Sequence, residues 1–411
     1  MKEESSGVSR RKFIDSITKA AALSTVSLTA MPVLATAGDA DETFNADDHS
    51  FLCKPYLHSI EHTTMYIRCI TNKNSYCWVE YNEPGKSAQK AHTLSDGLVD
   101  ANNRVHEIKL TGLKPGTTYE YKLIAKEIKD FQPYKLTYGE TINSDVYSFT
   151  TFNPSAKETQ WLVLNDIHDR PASFQHLLQL NGNDPYQYVF LNGDMFDYQT
   201  NEKQIIDHLL TPCTESFATQ KPMLFVRGNH ETRGKYARKL KDYFAAPQGA
   251  YFSFQSGPVF NIVLDTGEDK EDTHPVYAGI VDFDQFRIQQ AVWLEQQLRS
   301  KAYKKAKYKV VMMHIPPFYT DEWHGVMHCR KLFSPLFDKY KIDLLICGHT
   351  HTHGVHPPVA GKHNYPIIIG GGPSAGKRTL IKVNADQQQL NVRMLKDDGS
   401  EVGTYSVAAK K

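Results

Sequence analysis

Short runs of hydrophobic residues recur along this chain, and a change in their spacing divides it into two regions. Between about Phe51 and Phe152, hydrophobic and polar positions alternate in runs separated by turns, as in TMYIRCI, YCWVEY, VHEIKL, YEYKLIA and VYSFTTF. Strands at that spacing are typical of a small all-β sandwich. From about Thr159, apolar runs alternate with segments of helical periodicity, which predicts an α/β domain.

Three segments of this second region have helical periodicity. The sequences SFQHLLQLNG and QIIDHLLTPC indicate two helices, and residues 285–299 give the clearest pattern, with Ile288, Ala291, Val292 and Leu298 within one face. After Arg378 the pattern returns to strands, TLIKVN and LNVRML, which we expect to extend a sheet of the same domain.

The N-terminal residues have a different composition. Arg10 and Arg11 precede a mildly apolar stretch that is rich in Ala, Ser and Thr and ends in Ala35-Thr36-Ala37. This segment resembles a twin-arginine export signal with an A-x-A cleavage site, so we expect a mature protein in the periplasm or outside the cell, without a membrane span. A permanent membrane anchor is the alternative.

These patterns predict a multidomain chain with five segments. They are a signal peptide at 1–37, a linker at 38–50, a β-sandwich at 51–153, an α/β domain at 158–378, and C-terminal strands at 379–411 that complete the second domain. In the sandwich, residues 113–119 form a turn and then place Tyr119 at the start of a strand, which predicts a tyrosine corner.

Overall charge gives no direct indication of a binding partner. The 411 residues include 47 basic and 46 acidic side chains, a formal net charge of +1, so a nucleic-acid partner is not expected and an anionic substrate must be attracted locally. The six cysteines suggest no disulfide framework, although Cys69 and Cys77 could pair in an oxidising compartment instead of packing as small apolar residues. Oligomeric state is not specified by the sequence.

Potential metal ligands follow five of the apolar runs, WLVLN, YVFLNG, MLFVRG, KVVMM and IDLLICG. Each ligand therefore lies where a strand gives way to a loop, and in parallel sheets that edge is where ligands bind. The candidate ligands are Asp166, His168, Asp194, Asn229, His314, His349 and His351.

The spacing of these ligands predicts a site for two metal ions. Asp194, held after Gly193 in a tight turn, suits a carboxylate that bridges both ions. Asp166, His168 and His351 are expected to hold one ion, whereas Asn229, His314 and His349 are expected to hold the other. Imidazole, carboxylate and amide ligands without thiolates suit divalent or trivalent manganese, iron or zinc. Ions about 3.5–4 Å apart would polarise a phosphoryl oxygen and lower the pKa of a bound water towards about 7, which supports in-line hydrolysis.

Neighbouring polar residues have expected supporting roles. His230 follows Asn229 directly, so we expect it to lie beside the metals and to stabilise transition-state charge or protonate the leaving oxygen. Asp197 and Glu231 are expected to orient the histidine ligands.

The order Asp-x-His, Gly-Asp, Gly-Asn-His-Glu, His and Gly-His-x-His resembles the motif series of the calcineurin-like metallophosphoesterases. The resemblance implies two β-sheets packed between helices, with the ligand assignments above. The preceding segment resembles the fibronectin type III-like module of purple acid phosphatases. Two positions depart from that group: His168 stands where it has glycine, and Asp197 stands where it has a metal-binding tyrosine, with Tyr198 one place later. A tyrosine-ligated ferric ion is therefore not expected.

Residues 371–377 fit the first seven positions of a phosphate-binding P-loop. Arg378 follows where a P-loop requires Ser or Thr, and the next residues have the composition of a strand, so we interpret the segment as a glycine turn near the metal site.

The substrate is predicted to be a small-molecule phosphate ester, either a monoester or a diester. Candidates for contacting it are Arg170, Tyr319, Trp323, His324 and His353. The alternative function is a non-catalytic surface protein whose β-sandwich binds a glycan or another protein.

Overall fold

The computed structural model describes residues 48–244 and 249–409. The predicted signal peptide and nearly all of the predicted linker lie outside the described residues. All the described residues belong to one compact unit. None of the helices in these two ranges is long and apolar enough to cross a membrane.

The N-terminal part of this unit is built from strands. They are β1 (Tyr56–His58), β2 (Met65–Asn82), β3 (Gln89–Ala91), β4 (Leu94–Ser95), β5 (Leu98–Val99), β6 (Ala101–Leu110), β7 (Thr118–Gln132), β8 (Lys135–Asn143) and β9 (Tyr147–Thr150). Seven of them form one hydrogen-bonded sheet, and β4 and β5 form a separate hairpin.

Strand β2 joins the two halves of this sheet. The sequence predicted two strands, TMYIRCI and YCWVEY, whereas the structure has a single 18-residue strand with a register shift between Ile70 and Ser75. Before the shift β2 pairs with β1 and β6, and after it mainly with β3 and β7, while Ser75 and Tyr76 still pair with β6. Side chains from both halves, including Ile67 and Val79, share one buried core with β6, β7 and β9.

Tyr119 is the second residue of β7, in the position predicted for a tyrosine corner. Its ring is buried, and its hydroxyl accepts a hydrogen bond from the backbone N–H of Lys114 at 2.9 Å. The bond ties the turn at 113–117 to the start of the strand.

The remaining strands form two six-stranded sheets. Sheet A has the order β12 (Met223–Val226), β11 (Tyr188–Asn192), β10 (Thr159–Leu164), β19 (Thr379–Ala385), β20 (Gln389–Lys396) and β21 (Glu401–Ala408). Sheet B has the order β13 (Phe252–Ser256), β14 (Val259–Leu264), β15 (Tyr308–Met313), β16 (Leu344–Cys347), β18 (Ile367–Ile369) and β17 (Gly354–His356). Strands β10 to β12 are parallel, as are β14, β15, β16 and β18.

Helices connect these strands. The α-helices are α1 (Ala172–Gln179), α2 (Glu202–Ile205), α3 (Thr211–Cys213), α4 (Lys241–Phe244), α5 (Phe283–Arg299), α6 (Lys301–Lys305) and α7 (His324–Tyr340). Two π-helical segments, Ile206–Leu210 and Thr214–Ala218, flank α3, and 3₁₀ turns occur at His230–Thr232, Ala237–Lys239 and Pro275–Tyr277.

The two sheets pack face to face over a shared core. Trp161 and Phe190 of sheet A lie in the same buried cluster as Phe254 and Met312 of sheet B. The other face of sheet B packs against α5 and α7 in a second cluster. Residues 371–377 lead into β19 and not into a helix, in agreement with the strand-like sequence that follows them.

Candidate metal centre

The candidate ligands follow five strands whose carboxyl ends meet. Asp166 and His168 follow β10, Asp194 follows β11 and Asn229 follows β12, all in sheet A, while His314 follows β15 and His349 and His351 follow β16, in sheet B. Parallel strands bring these loops to one edge, so the two sheets together supply a single cluster of side chains.

Asp166, His168, His351 and Asp194 form the first group of neighbouring ligand atoms. His168 Nε2 lies 3.7 Å from Asp166 Oδ1 and 3.6 Å from Asp194 Oδ2. His351 Nε2 lies 3.4 Å from Asp166 Oδ1 and 2.9 Å from His168 Nε2. Four donor atoms from three loops therefore converge on one small volume.

Asp194, His314 and His349 form the second group. His314 Nε2 lies 3.0 Å from Asp194 Oδ2, and His349 Nδ1 lies 2.9 Å from Asn229 Oδ1. Asp194 belongs to both groups, and it is the residue that the sequence suggested as the bridging carboxylate.

The backbone of the site is strained. Asp166, His168, Asp194, His349 and His351 all have positive φ, between 48° and 74°. Residues other than glycine rarely adopt this left-handed conformation, which persists only where the surrounding structure imposes it. Five of the proposed ligands share this unfavourable conformation. The fold therefore brings their side chains together at a cost in backbone conformational energy.

Two buried ligand atoms lack a hydrogen-bond partner among the described residues, Asp166 Oδ1 and His314 Nε2. The carbonyl of Asn192 accepts from His314 Nδ1 at 2.8 Å, so Nε2, which faces Asp194, becomes the free acceptor once a bound cation has displaced its proton. Unpaired buried acceptors of this kind fit metal ligation, and the set of imidazole, carboxylate and amide donors suits manganese, iron or zinc.

The carboxylates of the cluster attract positive charge. Burial alone would raise the pKa of Asp166 and Asp194, but neighbouring imidazoles outweigh it: the pKa of Asp166 falls below its usual range, mainly through His168 and His351, and that of Asp194 falls to about 2 through His314. Conversely, these carboxylates overcome burial and raise the pKa of His168 to about 9 and of His314 to about 10. In the absence of metal the imidazoles of His168 and His314 therefore retain protons, which bound cations would displace.

Glu231 links the loops that follow β11 and β12 in sheet A. Its carboxylate accepts hydrogen bonds from the backbone N–H groups of Asp194, Met195, Phe196 and Gly228, at 2.6–3.2 Å. The sequence predicted that Glu231 would orient a histidine, whereas these contacts fix the loops that carry Asp194 and Asn229. Burial and the nearby Asp194 raise the pKa of Glu231 to about 7.

Asp197 and His230 lie on one side of the first group. Asp197 Oδ1 is 2.8 Å from His168 Nδ1, which leaves Nε2 of that ring for a metal. The His230 ring centroid lies 4.6 Å from that of His168. Tyr198 is 55% exposed, and Asp197 occupies the position beside His168.

Three supporting contacts were not identified from the sequence. Asn165 Nδ2 donates to Asp166 Oδ2 at 2.6 Å. Arg233 Nη1 lies 3.1 Å from His230 Nε2, and its guanidinium pairs with the buried Glu268. Asn165 precedes a ligand directly and Arg233 follows His230 by one turn, so proximity was the only sequence signal for either residue.

The predicted substrate-contact residues occupy different surroundings. Tyr319 lines a cavity of about 640 Å³ that extends to His349. The Tyr319 ring stacks on the His356 ring, with centroids 3.8 Å apart. Arg170 donates to the carbonyl of His168, Trp323 is 46% exposed, and His324 contacts Asp284. His353 is partly buried two residues beyond His351.

Comparison with known proteins gives consistent matches. Residues 160–353 match the family described as calcineurin-like phosphoesterase. Purple acid phosphatase 21 of Arabidopsis thaliana is 23% identical over 278 residues, 66% of this chain and 59% of that protein. Phosphoenolpyruvate phosphatase of Allium cepa is 23% identical over 299 residues, 67% of this chain and 58% of that protein. This chain thus spans less than two thirds of the length of these two relatives.

Solved structures share the fold. A purple acid phosphatase from yellow lupin seeds superimposes with a TM-score of 0.66 at 16% identity, over 86% of this chain and 74% of that one. PhoD superimposes with a TM-score of 0.61 at 13% identity, over 89% of this chain and 90% of that one.

Proposed function

Because residues 160–353 match the calcineurin-like phosphoesterase family, we propose that this chain is a metal-dependent phosphoric ester hydrolase. The observation that supports this most directly is the position of Asp194, whose Oδ2 lies 3.0 Å from His314 Nε2 and 3.6 Å from His168 Nε2. One carboxylate thus adjoins both ligand groups, as a site for two ions requires.

We assign one ion to Asp166, His168 and His351 and the other to Asn229, His314 and His349, with Asp194 shared. Bound ions would supply Lewis-acid polarisation of the phosphoryl oxygen and activation of water. The protein holds the ligand atoms in place: Asp197 orients His168, the Asn192 carbonyl orients His314, and Glu231 fixes the loop of Asp194. Because Asp197 stands where purple acid phosphatases have a metal-binding tyrosine, a tyrosine-ligated ferric ion is not part of the proposal.

We assign His230 to the leaving-group side of the site. Arg233 Nη1 lies 3.1 Å from His230 Nε2, and because arginine only donates, Nε2 is the acceptor. The proton of His230 is therefore on Nδ1, which donates to the Asp197 carbonyl at 2.7 Å. A protonated Nε2 could instead donate to a leaving oxygen, while the Arg233 guanidinium supplies positive charge beside it.

The substrate that we propose is a small phosphate ester. The cavity beside His349 is lined by Tyr319, Arg330 and Lys362 among other residues, so aromatic and cationic groups adjoin the ligands. Lys362 Nζ lies 3.9 Å from the Tyr319 ring centroid. The lining also contains Asp321 and Glu322, and Arg330 pairs with Glu322 at 3.0 Å, so we assign Lys362 as the cation that attracts an anionic ester in a chain with almost no net charge.

Two further assignments belong to the proposal. Residues 51–153 are assigned to a fibronectin type III-like sandwich, supported by the Tyr119–Lys114 hydrogen bond and by the core that both halves of β2 share. Export through a twin-arginine signal is supported only by the sequence around Arg10 and Arg11.

Hydrolysis of a chromogenic phosphate monoester and the matching diester tests the function, with the protein reloaded with manganese, iron or zinc. Asp194→Asn should lower metal-dependent kcat/KM by more than about 100-fold, since loss of a bridging ligand exceeds the effect of an orienting residue. Asp184→Asn, the same change at a surface residue paired with Lys382, is the matched control. Equal activity in Asp194→Asn and wild type would refute the proposal, whereas no turnover with any metal would favour the non-catalytic surface protein.

A further inference from the structure

A second cluster of metal-binding side chains lies where helices α5 and α7 begin. Asp284 is the second residue of α5, His324 is the first residue of α7, and His328 follows one turn later. Histidines four positions apart in a helix present their rings on one face. Asp284, from the neighbouring helix, lies against that face, and the three ligand atoms are within 4.8 Å of one another.

The distances within this cluster are short. His324 Nε2 lies 2.8 Å from Asp284 Oδ1 and 2.9 Å from Oδ2. His328 Nδ1 lies 2.9 Å from the same Oδ1, and the two imidazole centroids are 5.6 Å apart. One carboxylate therefore faces two imidazole nitrogens at once.

Hydrogen bonding leaves part of this cluster unsatisfied. His328 Nδ1 is buried and has no hydrogen-bond partner among the described residues, although Asp284 Oδ1 is 2.9 Å away. His324 Nε2 faces both oxygens of one carboxylate, which a single N–H cannot serve fully. A buried nitrogen that points at a carboxylate without bonding to it is the arrangement that a shared cation would satisfy.

The surrounding residues hold Asp284 in place. The side chain of Asp272 accepts hydrogen bonds from the backbone N–H groups of Phe283 and Asp284, at 2.9 and 2.8 Å. The buried Arg287 donates to Asp284 Oδ1 at 3.0 Å and to the carbonyl of Thr266 at 2.9 Å. The carboxylate is thus positioned before any ion arrives, as a preformed site requires.

We propose that Asp284, His324 and His328 bind one zinc ion, separate from the centre at the strand ends. Two imidazoles and a carboxylate without a thiolate suit zinc, and water can complete a tetrahedron because the His324 and Asp284 side chains are 41% and 37% exposed. Ligand atoms about 2.0–2.1 Å from a tetrahedral ion are about 3.3 Å apart, so the cluster must open by roughly 0.5 Å. Rotation of the exposed His324 ring and a small shift of the Asp284 carboxylate away from His328 would supply that movement.

The ion would brace a segment beside the candidate centre. Gly325 of α7 donates its backbone N–H to the carbonyl of Asp269 at 2.7 Å, and Arg287 donates to the carbonyl of Glu268. Glu268 in turn pairs with Arg233, which contacts His230. Zinc bound here would link α5 to α7, and the hydrogen bonds from Gly325 and Arg287 hold the 266–269 loop to these helices. None of the three zinc ligands belongs to the strand-end cluster.

Zinc stoichiometry measured by elemental analysis tests this proposal, after dialysis of the full chain against buffered micromolar zinc. His328→Gln should bind one zinc ion fewer than wild type, and His176→Gln, which replaces an exposed histidine of α1, should bind the same number as wild type. Circular dichroism checks that each variant is folded; if His328→Gln is not, His324→Gln takes its place. Equal stoichiometry in wild type and the folded variant would overturn the proposal.

Repeating the zinc measurement in the Asp194→Asn variant distinguishes this ion from those of the proposed dinuclear centre. In Asp194→Asn, one ion should remain, and the added change His328→Gln should remove it. Cobalt(II) substitution gives an independent readout, because a tetrahedral site with two imidazoles produces visible absorption that His328→Gln should abolish. Loss of all zinc from Asp194→Asn alone would contradict a separate site, whatever the outcome of the hydrolysis assay.

Discussion

At the scale of single residues, the sequence identified the ligand candidates but not the conformations that bring them together. Asp166, His168 and Asp194 were recognisable because each follows an apolar run, which depends only on local sequence. Their positive φ values could not be predicted, since nothing in an Asp or His side chain requires a left-handed backbone. The tertiary structure imposes that conformation, in part through the backbone hydrogen bonds that Glu231 accepts from the Asp194 loop.

Arg233 is predicted to set the pH dependence of hydrolysis through His230. Burial lowers the pKa of His230, the Arg233 guanidinium lowers it further, and the charge of Asp194 opposes both. If protonated His230 is the proton donor, Arg233→Gln should raise that pKa and move the alkaline limb of the profile of kcat/KM against pH upward by about one unit.

Arg233→Lys is the matched control for this prediction, because it retains the positive charge and should leave the alkaline limb near its wild-type position. The measurement is kcat/KM for one chromogenic ester from pH 4.5 to 9. Identical pH profiles for the Gln and Lys variants would show that Arg233 does not act through the protonation of His230.

At the scale of elements, strand ends were predictable and strand lengths were not. The five apolar runs that precede the ligands correspond to β10, β11, β12, β15 and β16. Strand β2 was instead predicted as two strands because polar residues 71–75 interrupt its alternation. Strand β8 was missed because its residues are mostly exposed, and its alternating Leu136, Tyr138 and Ile142 are interrupted by Glu140. Periodicity reports burial, so strands that are bent or solvated escape it.

The close packing of two strand ends predicts an intolerance to side chains at Gly348. A Cβ atom at this position would lie 2.5 Å from Asp166 Oδ2 and 3.0 Å from Asn165 Cβ. Gly348→Ala should therefore displace Asp166 and lower metal affinity at least about 10-fold, while the free energy of unfolding falls by about 1–3 kcal/mol. Competition with a chelator measures the affinity, and thermal unfolding of the metal-free protein measures the stability.

Gly403→Ala offers a comparison at a distant strand, where the added Cβ would meet only Val355 Cγ2 at 3.2 Å and Val355 Cβ at 3.7 Å. This variant should retain wild-type metal affinity. Equal affinities of the Gly348 and Gly403 variants would mean that the Asp166 loop can move without loss of the site.

At the scale of the whole molecule, the contacts between the β-rich region and the α/β region could not be foreseen. Tyr121 donates to the carbonyl of Thr219 at 2.8 Å, Tyr56 donates to the carbonyl of Tyr243 at 3.1 Å, and His58 Nδ1 lies 3.1 Å from the carbonyl of Met223. Each partner is a backbone carbonyl, which every residue possesses, so no sequence signal marks it. With these bonds buried between them, the two regions should unfold in one cooperative transition.

Acid should weaken this junction through His58. Burial and the charge of Arg68 lower the pKa of His58 to about 4, against about 6.5 in the unfolded chain. Between these values the unfolded state binds the extra proton, so the stabilisation is complete above pH 6.5 and is lost as the pH falls towards 4, by up to about 3 kcal/mol. His58→Gln has no group that titrates in this range, and its free energy of unfolding should therefore decline less than that of wild type.

Urea unfolding of the metal-free protein at pH 7.5 and pH 4.5 measures this difference, because removing the metal excludes acid release of ions from the comparison. Tyr121→Phe serves as a control at the same junction: it loses a buried hydrogen bond and about 1–2 kcal/mol at both pH values, so its pH dependence should match that of wild type. If His58→Gln and wild type lose the same free energy on acidification, His58 is not the group that couples this junction to pH. If instead only His58→Gln shows the reduced loss, a single buried imidazole makes the association of the β-rich and α/β regions sensitive to acid.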